Sequence, residues 1–221
     1  MSHDRQFLRQ FLRLYAVTDR RWLKSRPLTW QIEEILRGGG TMVQLREKDL
    51  SPDLFLQEAV EIGDLCHRYQ VPLIINDNPE IAQAAHADGV HLGQGDTSIQ
   101  KARQILGADK IIGISAHTVA LAREAEKQGA DYIGTGSMFP TSTKDDATPV
   151  SIETLREITE TVSIPVVAIG GIKQSNIDRL YGTGIAGVAV VSALFATEFP
   201  LTAAQDFIRR TASFVQKQER R

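Results

Sequence analysis

The residues best suited to chemistry lie in short polar runs, each directly after an apolar stretch. One reads Met42-Val43-Gln44-Leu45-Arg46-Glu47-Lys48-Asp49. As a strand it would put Val43 and Leu45 on one face and Gln44, Arg46 and Lys48 on the other. Three polar side chains on a buried face need partners, because an unpaired buried charge is costly. A carboxylate such as Glu47 could supply the pairing. An anionic or polar ligand over the strand end is the favoured alternative, because this run does not stand alone.

Two neighbouring runs, Ile75-Asn76-Asp77 and Gly93-Gln94-Gly95-Asp96, each end in a carboxylate. Mg²⁺ is usually held by one or two carboxylates together with substrate phosphates and water, so Asp77 and Asp96 beside Arg46 and Lys48 read as a magnesium site. Taken singly, each Asp reads rather as a cap of the helix after it; the pair beside Arg46 and Lys48 favours the metal. Further along, Ser115 within Gly113-Ile114-Ser115-Ala116-His117-Thr118 could donate to a phosphate or merely start a helix. The stretch 134–146 is rich in Thr, Ser and Gly and includes Thr141, Ser142, Thr143 and Lys144. Long loops in compact domains tend to be lids or binding loops, the favoured reading here, with a solvated mobile loop as the alternative. It lacks the spacing of a nucleotide-binding P-loop. The pair Gly170-Gly171 and the segment Val191-Ser192 complete the set. Glycine allows close backbone approach to an anion, or simply tight packing. None of the five histidines shows ligand spacing, and His3, His67, His86, His91 and His117 are read as structural or surface residues.

The elements that position these residues alternate regularly. Strands are expected at 14–18, 42–46, 73–76, 89–92, 111–114, 132–134, 166–169 and 187–190. Helical patterns lie between them, including 54–69, 119–128, 152–161 and 203–216. Strands separated by helices imply parallel pairing with both faces covered. Eight such units make an α/β (β/α)8 TIM barrel, with an open doubly wound sheet as the structural alternative. In a barrel, function collects where strands end, which is where the polar runs fall. Asn78-Pro79 reads as a helix cap followed by a first-turn proline, and 38–40 as a glycine helix stop. Residues 4–13 are expected to form an extra N-terminal helix, within a leading segment 1–13, and 216–221 to be a frayed tail of one domain spanning 1–221.

Bulk properties narrow the class. A barrel needs about 200 residues at the least, so 221 residues make one with short connections. The net charge of −2 gives no footprint for nucleic acid. The single cysteine, Cys66, excludes an internal disulfide and reads as a core residue. No run approaches a membrane span or a secretory core, so a cytoplasmic protein without membrane partners is expected. The oligomeric state is open, a homo-oligomer included.

Five motifs together are similar to the thiamine phosphate synthase family. They are Val43-Gln44-Leu45-Arg46-Glu47-Lys48, Ile75-Asn76-Asp77, His91-Leu92-Gly93-Gln94-Gly95-Asp96, Phe139-Pro140-Thr141-Ser142-Thr143-Lys144 and Ala168-Ile169-Gly170-Gly171-Ile172. The resemblance covers 15–195. It implies joining a pyrimidine diphosphate to a thiazole phosphate, with thiamine phosphate and pyrophosphate as products. Gln44, Leu45, Arg46, Glu47, Lys48, Asn76, Ser115 and Lys144 would then contact the pyrimidine diphosphate, with Arg46, Lys48, Lys144 and Ser115 taking part in catalysis. Asp77 and Asp96 would hold Mg²⁺. Thr141, Ser142, Thr143, Gly171, Val191 and Ser192 would hold the thiazole phosphate. The resemblance also implies departure of pyrophosphate first, leaving a pyrimidine-methyl cation that water must not reach. Ser137 stands where the family often has proline, a departure that could loosen the start of the loop. Two other readings use the same scaffold. A thiazole tautomerase-like isomerase would need no metal and would use a histidine such as His117. A non-catalytic phosphometabolite sensor would bind without turnover.

Overall fold

In the computed structural model, described for residues 5–23, 26–141 and 149–216, eight strands alternate with helices around one axis. The strands are β1 Leu14–Val17, β2 Met42–Leu45, β3 Leu73–Asn76, β4 Gly89–Leu92, β5 Ile111–Ser115, β6 Tyr132–Thr135, β7 Val166–Ile169 and β8 Gly187–Val190. The helices are α1 Arg5–Phe11, α2 Leu28–Arg37, α3 Pro52–Arg68, α4 Pro79–Ala84, α5 Ile99–Leu106, α6 Val119–Lys127, α7 Ile152–Thr161, α8 Ser192–Phe195 and α9 Pro200–Gln216. Every strand pairs in parallel with the next in sequence, and β8 returns to β1 through Leu14↔Val188 and Ala16↔Val190. The sheet is therefore a closed barrel, and the open-sheet alternative is excluded.

Local chemistry explains the helix starts. Ser51, Asn78, Ser98, Thr118 and Ser151 each accept a hydrogen bond from a backbone N–H in the first helical turn. Pro79 follows Asn78 as read from the sequence, and Gly38 ends α2. Between β7 and β8 the chain forms a short 3₁₀ turn, Ile177–Leu180. Its Asn176 side chain is spent on the β7 turn, donating to the Gly171 carbonyl at 2.9 Å and accepting from Lys173 N at 2.8 Å.

The core has two layers, as strand alternation requires. Val43, Leu45, Ile75, Val90, Ile112 and Ile133 pack outward against the helices. Tyr15, Val17, Met42, Ile74, Ile111, Tyr132, Val167 and Ala189 fill the barrel. Helix α1 precedes the first strand, so it lies at the end opposite the strand tips, and its Leu8 joins Leu12 in the inner cluster. Each is almost fully buried and contributes on the order of 2 kcal/mol from apolar burial. The extra helix is thus a plug for the open base of the barrel.

Cys66 packs in the outer layer of α3. Burial, and secondarily the negative charge of Asp88, pushes its thiol up to about 12. Only about one molecule in 10⁴ carries the thiolate at pH 8 if the thiol titrates there. Native protein is expected to resist iodoacetamide and to take up one equivalent after denaturation. Rapid labelling of the native protein, followed by mass, would contradict this packing.

Candidate active site

The tips of β2, β3 and β4 form one half of the mouth. The parity inferred for β2 holds: Val43 and Leu45 enter the outer core, while Gln44 turns inward, donating from Nε2 to the Tyr15 hydroxyl at 2.7 Å. Leu45 is fully buried on the helix side, so only its backbone faces the mouth. Arg46 is half-buried. Its backbone N–H donates to Thr18 Oγ1 at 2.9 Å, fixing the tip of β2 against β1.

Glu47 does not pair with Arg46 or Lys48. Its Oε2 accepts from Arg20 Nε at 2.9 Å, and Arg20 Nη2 also reaches Glu58 Oε1 at 2.5 Å. Burial raises the proton affinity of Glu47; the Arg20 bond opposes this, and the nearby Glu58 charge adds to it. Arg20 answers two carboxylates, one of which, Glu47, has a side chain only 2% exposed. The sequence reading missed Arg20, because only folding brings the turn after β1 onto β2 and α3. It missed Asp19 for the same reason. This buried carboxylate is paired with Arg21 and feels the charge of Arg46.

Asp77 follows β3 with a positive φ of 62°, a conformation that Asp tolerates better than most residues. Its backbone N–H donates to the His91 carbonyl at 2.8 Å, which pins the turn. Lys48 Nζ donates to its Oδ2 at 2.5 Å. Burial works to raise Asp77, but the bond from Lys48, aided by those from Asp96 and Asn76, leaves it below the usual carboxylate range. Asp96 is displaced upward, by burial first and then by the adjacent Asp77 carboxylate. The two carboxylates are therefore close enough to govern each other's charge, with one ammonium beside them. Asp96 also accepts from Gly93 N at 2.7 Å, inside its own loop rather than as the cap of α5, which is Ser98.

Ser115 closes this half at the tip of β5. Its Oγ lies 3.1 Å from His91 Nε2, and its carbonyl accepts from Gln94 Nε2 at 2.6 Å. His91 faces the barrel interior and its Nδ1 lies 2.9 Å from the Tyr132 hydroxyl. It is thus a hydrogen-bonded interior residue, in keeping with the structural reading, and it touches Ser115 at the tip of β5. Glycine makes the room: a Cβ at position 113 would fall 2.1 Å from the Tyr132 ring, and one at 134 would press on His91 at 3.1 Å. His117 is partly buried and hydrogen-bonds to none of these groups.

The other half lies over β6, β7 and β8. Ile169 and Val191 pack against the top of the inner cluster. Gly170 and Gly171 have φ of 96° and 64°, and a Cβ at 171 would meet the carbonyls of Phe139 and Pro140 at 2.5 Å. Close packing alone accounts for both glycines, which leaves any ligand role of Gly171 to its backbone. The β6 loop starts firmly. Ser137 is buried, its Oγ donates to the Phe139 carbonyl at 2.8 Å, and its carbonyl accepts from Val150 N at 2.9 Å. Met138 and Phe139 N–H groups bond to the β7 tip. Serine in place of proline therefore does not loosen the start of this loop. Thr141 is half-buried, and Ser142, Thr143 and Lys144 lie outside the described residues.

A family model described as thiamine monophosphate synthase matches residues 14–194. The chain belongs to this family. A thiamine-phosphate synthase of Clostridium acetobutylicum is 49% identical over 186 residues, 84% of this chain and 88% of that one. The thiamine-phosphate synthase 2 of Streptococcus pneumoniae is 46% identical over 209 residues, 95% and 96% of the two chains. Among solved structures, a thiamine phosphate pyrophosphorylase from Pyrococcus furiosus superposes with a TM-score of 0.87 at 38% identity, covering 94% of this chain and 99% of that one. The matched stretch of the thiamine monophosphate synthase family model runs from β1 through α8, so it contains every strand tip described above.

Arg20→Ala would leave Glu47 and Glu58 facing each other without their shared cation. The expected cost is about 2 kcal/mol, the scale of a hydrogen bond to a charged group, read as a lower midpoint in urea denaturation. An unchanged midpoint would show that the three-residue cluster carries no stability.

Proposed function

We propose that this chain condenses 4-amino-2-methyl-5-(diphosphooxymethyl)pyrimidine with 4-methyl-5-(2-phosphooxyethyl)thiazole, giving thiamine phosphate and pyrophosphate. The observation that carries the reading is the Asp77/Asp96 pair with Lys48 and Arg46 at adjoining strand tips, in a chain nearly half identical to named thiamine-phosphate synthases. Two facing carboxylates with one ammonium between strands suit a small hard cation that takes its remaining ligands from phosphate oxygens and water. Asp77 and Asp96 would hold Mg²⁺, which when bound supplies charge neutralisation for the departing pyrophosphate.

The remaining steps fall to side chains. Arg46 and Lys48 bind the diphosphate and take up negative charge as it leaves. Asn76 and Gln44, on inward positions of β3 and β2, orient the pyrimidine, with Leu45 contributing backbone only. Glu47 acts through Arg20 on the strand tip rather than on the substrate. Ser115 donates to the diphosphate, and Lys144 takes up its negative charge as it leaves. Thr141, Ser142 and Thr143, with the backbones of Gly171, Val191 and Ser192, receive the thiazole phosphate. The attacking thiazole nitrogen bears no proton, so no general base is required. Water must be kept from the pyrimidine-methyl cation, a role we assign to the β6 loop. The substrates are small phosphorylated molecules, and no helix among the described residues is long and apolar enough to cross a membrane. We place the activity in the cytoplasm.

Purified protein mixed with both precursors should release pyrophosphate and thiamine phosphate in equal amounts with Mg²⁺, and neither with excess EDTA. Binding of the thiazole phosphate without product would contradict the proposal and favour the isomerase or the sensor. Asp77→Asn and Asp96→Asn should each raise the Mg²⁺ needed for half-maximal rate by about tenfold or more, the scale on which metal sites respond to altered ligation. Lys144→Ala should lower kcat by about 10²-fold, as for loss of one charge-stabilising donor. Near-normal turnover in that variant would remove Lys144 from the mechanism.

A further inference from the structure

We infer that His91 is a positioning residue, held as the neutral Nε2–H tautomer by a one-way chain of hydrogen bonds, so that Ser115 turns its own proton outward to a ligand oxygen. The chain begins at Gln44, whose Nε2 can only donate, and it donates to the Tyr15 hydroxyl at 2.7 Å. Tyr15 is 1% exposed, and its only other hydrogen-bond partner among the described residues is the Tyr132 hydroxyl at 2.8 Å. The Tyr15 proton therefore goes to Tyr132. Tyr132 is fully buried and has a single proton, which goes on to His91 Nδ1 at 2.9 Å. A ring nitrogen that accepts is unprotonated, so the proton of the neutral imidazole sits on Nε2. Nε2–H then donates to Ser115 Oγ at 3.1 Å. Burial pushes both tyrosines far above their usual range, so each stays neutral and hands on one proton.

The direction of the chain decides what Ser115 can do. With Nε2–H donating, the serine oxygen is satisfied from below and its hydroxyl proton is free for the mouth. In the opposite direction, starting from an amide turned to present its oxygen, the proton would sit on Nδ1. Ser115 would then donate to the imidazole and show only lone pairs to the mouth, which an anion would not favour. Gln94, donating to the Ser115 carbonyl, holds the backbone while His91 sets the hydroxyl. The outward donor serves the diphosphate, and that clause rests on the function proposed above; the tautomer does not.

Two measurements test this. Long-range ¹H–¹⁵N correlation on histidine-labelled protein, with His91 assigned by its loss in His91→Gln, should show the neutral Nε2–H pattern at pH 8. An Nδ1–H or imidazolium pattern would overturn the inference whether or not the protein turns over substrate. In steady-state kinetics, His91→Ala should lower kcat about tenfold with little change in KM. His91→Gln, whose side-chain amide reaches the Nε2 position, should restore most of the loss, and His91→Asn should not. The His91→Ala/Ser115→Ala double variant should be no slower than Ser115→Ala. Equal losses in the Gln and Asn variants, or losses that multiply in the double variant, would make His91 a packing residue only.

Discussion

An eight-stranded barrel is only wide enough inside for side chains, so any polar group on an inward position must find its partner there or reach the mouth. That constraint organises this molecule. Gln44, Tyr15, Tyr132, His91 and Ser115 stand on inward positions of five different strands and answer one another in sequence. Each unanswered buried hydroxyl would cost about 1–3 kcal/mol. Satisfying them all inside produces a rigid polar column whose last member faces the mouth. The glycines at 113 and 134 belong to the same solution, since their missing side chains are the space that Tyr132 and His91 occupy. The apolar plug from Leu8 and Leu12 seals the other end.

Charge at the rim obeys a similar rule on a wetter surface. Glu47 and Glu58 are balanced by Arg20, and Asp19 by Arg21, so those carboxylates are spent on structure. Asp77 and Asp96 share Lys48, whose side chain is half exposed. Among the described residues this carboxylate pair has one ammonium between two acids, in the place where β3 and β4 meet. That pair is what a hard cation with phosphate ligands would complete.

Much of this was legible in the residue order. Alternation in β2 separated Gln44 and Arg46 from Val43 and Leu45, because period 2 leaves no other choice for a strand with one face packed on helices. Strand tips were found wherever an apolar run met Asp, Ser or Gly-Gly, and four of the eight strands had the expected ends. What escaped were relations between distant segments. His91 shows no ligand spacing, and its partners lie 24 and 41 residues away, joined only when the barrel closes. Arg20 sits 27 residues from Glu47, so the residue order left open whether that carboxylate met a ligand or its neighbours Arg46 and Lys48. The connection after β7 is a short turn beside which Asn176 donates to the Gly171 carbonyl, another contact that residue order does not show.

The carboxylate pair is the proposed meeting point of metal and diphosphate. Crystals grown with Mn²⁺ and inorganic pyrophosphate would locate the metal by its anomalous scattering. A single peak bridging Asp77 and Asp96, with pyrophosphate oxygens completing its shell beside Arg46 and Lys48, is the predicted result. Pyrophosphate seated at the mouth with no metal peak between the two aspartates, or Mn²⁺ bound elsewhere on the chain, would contradict it.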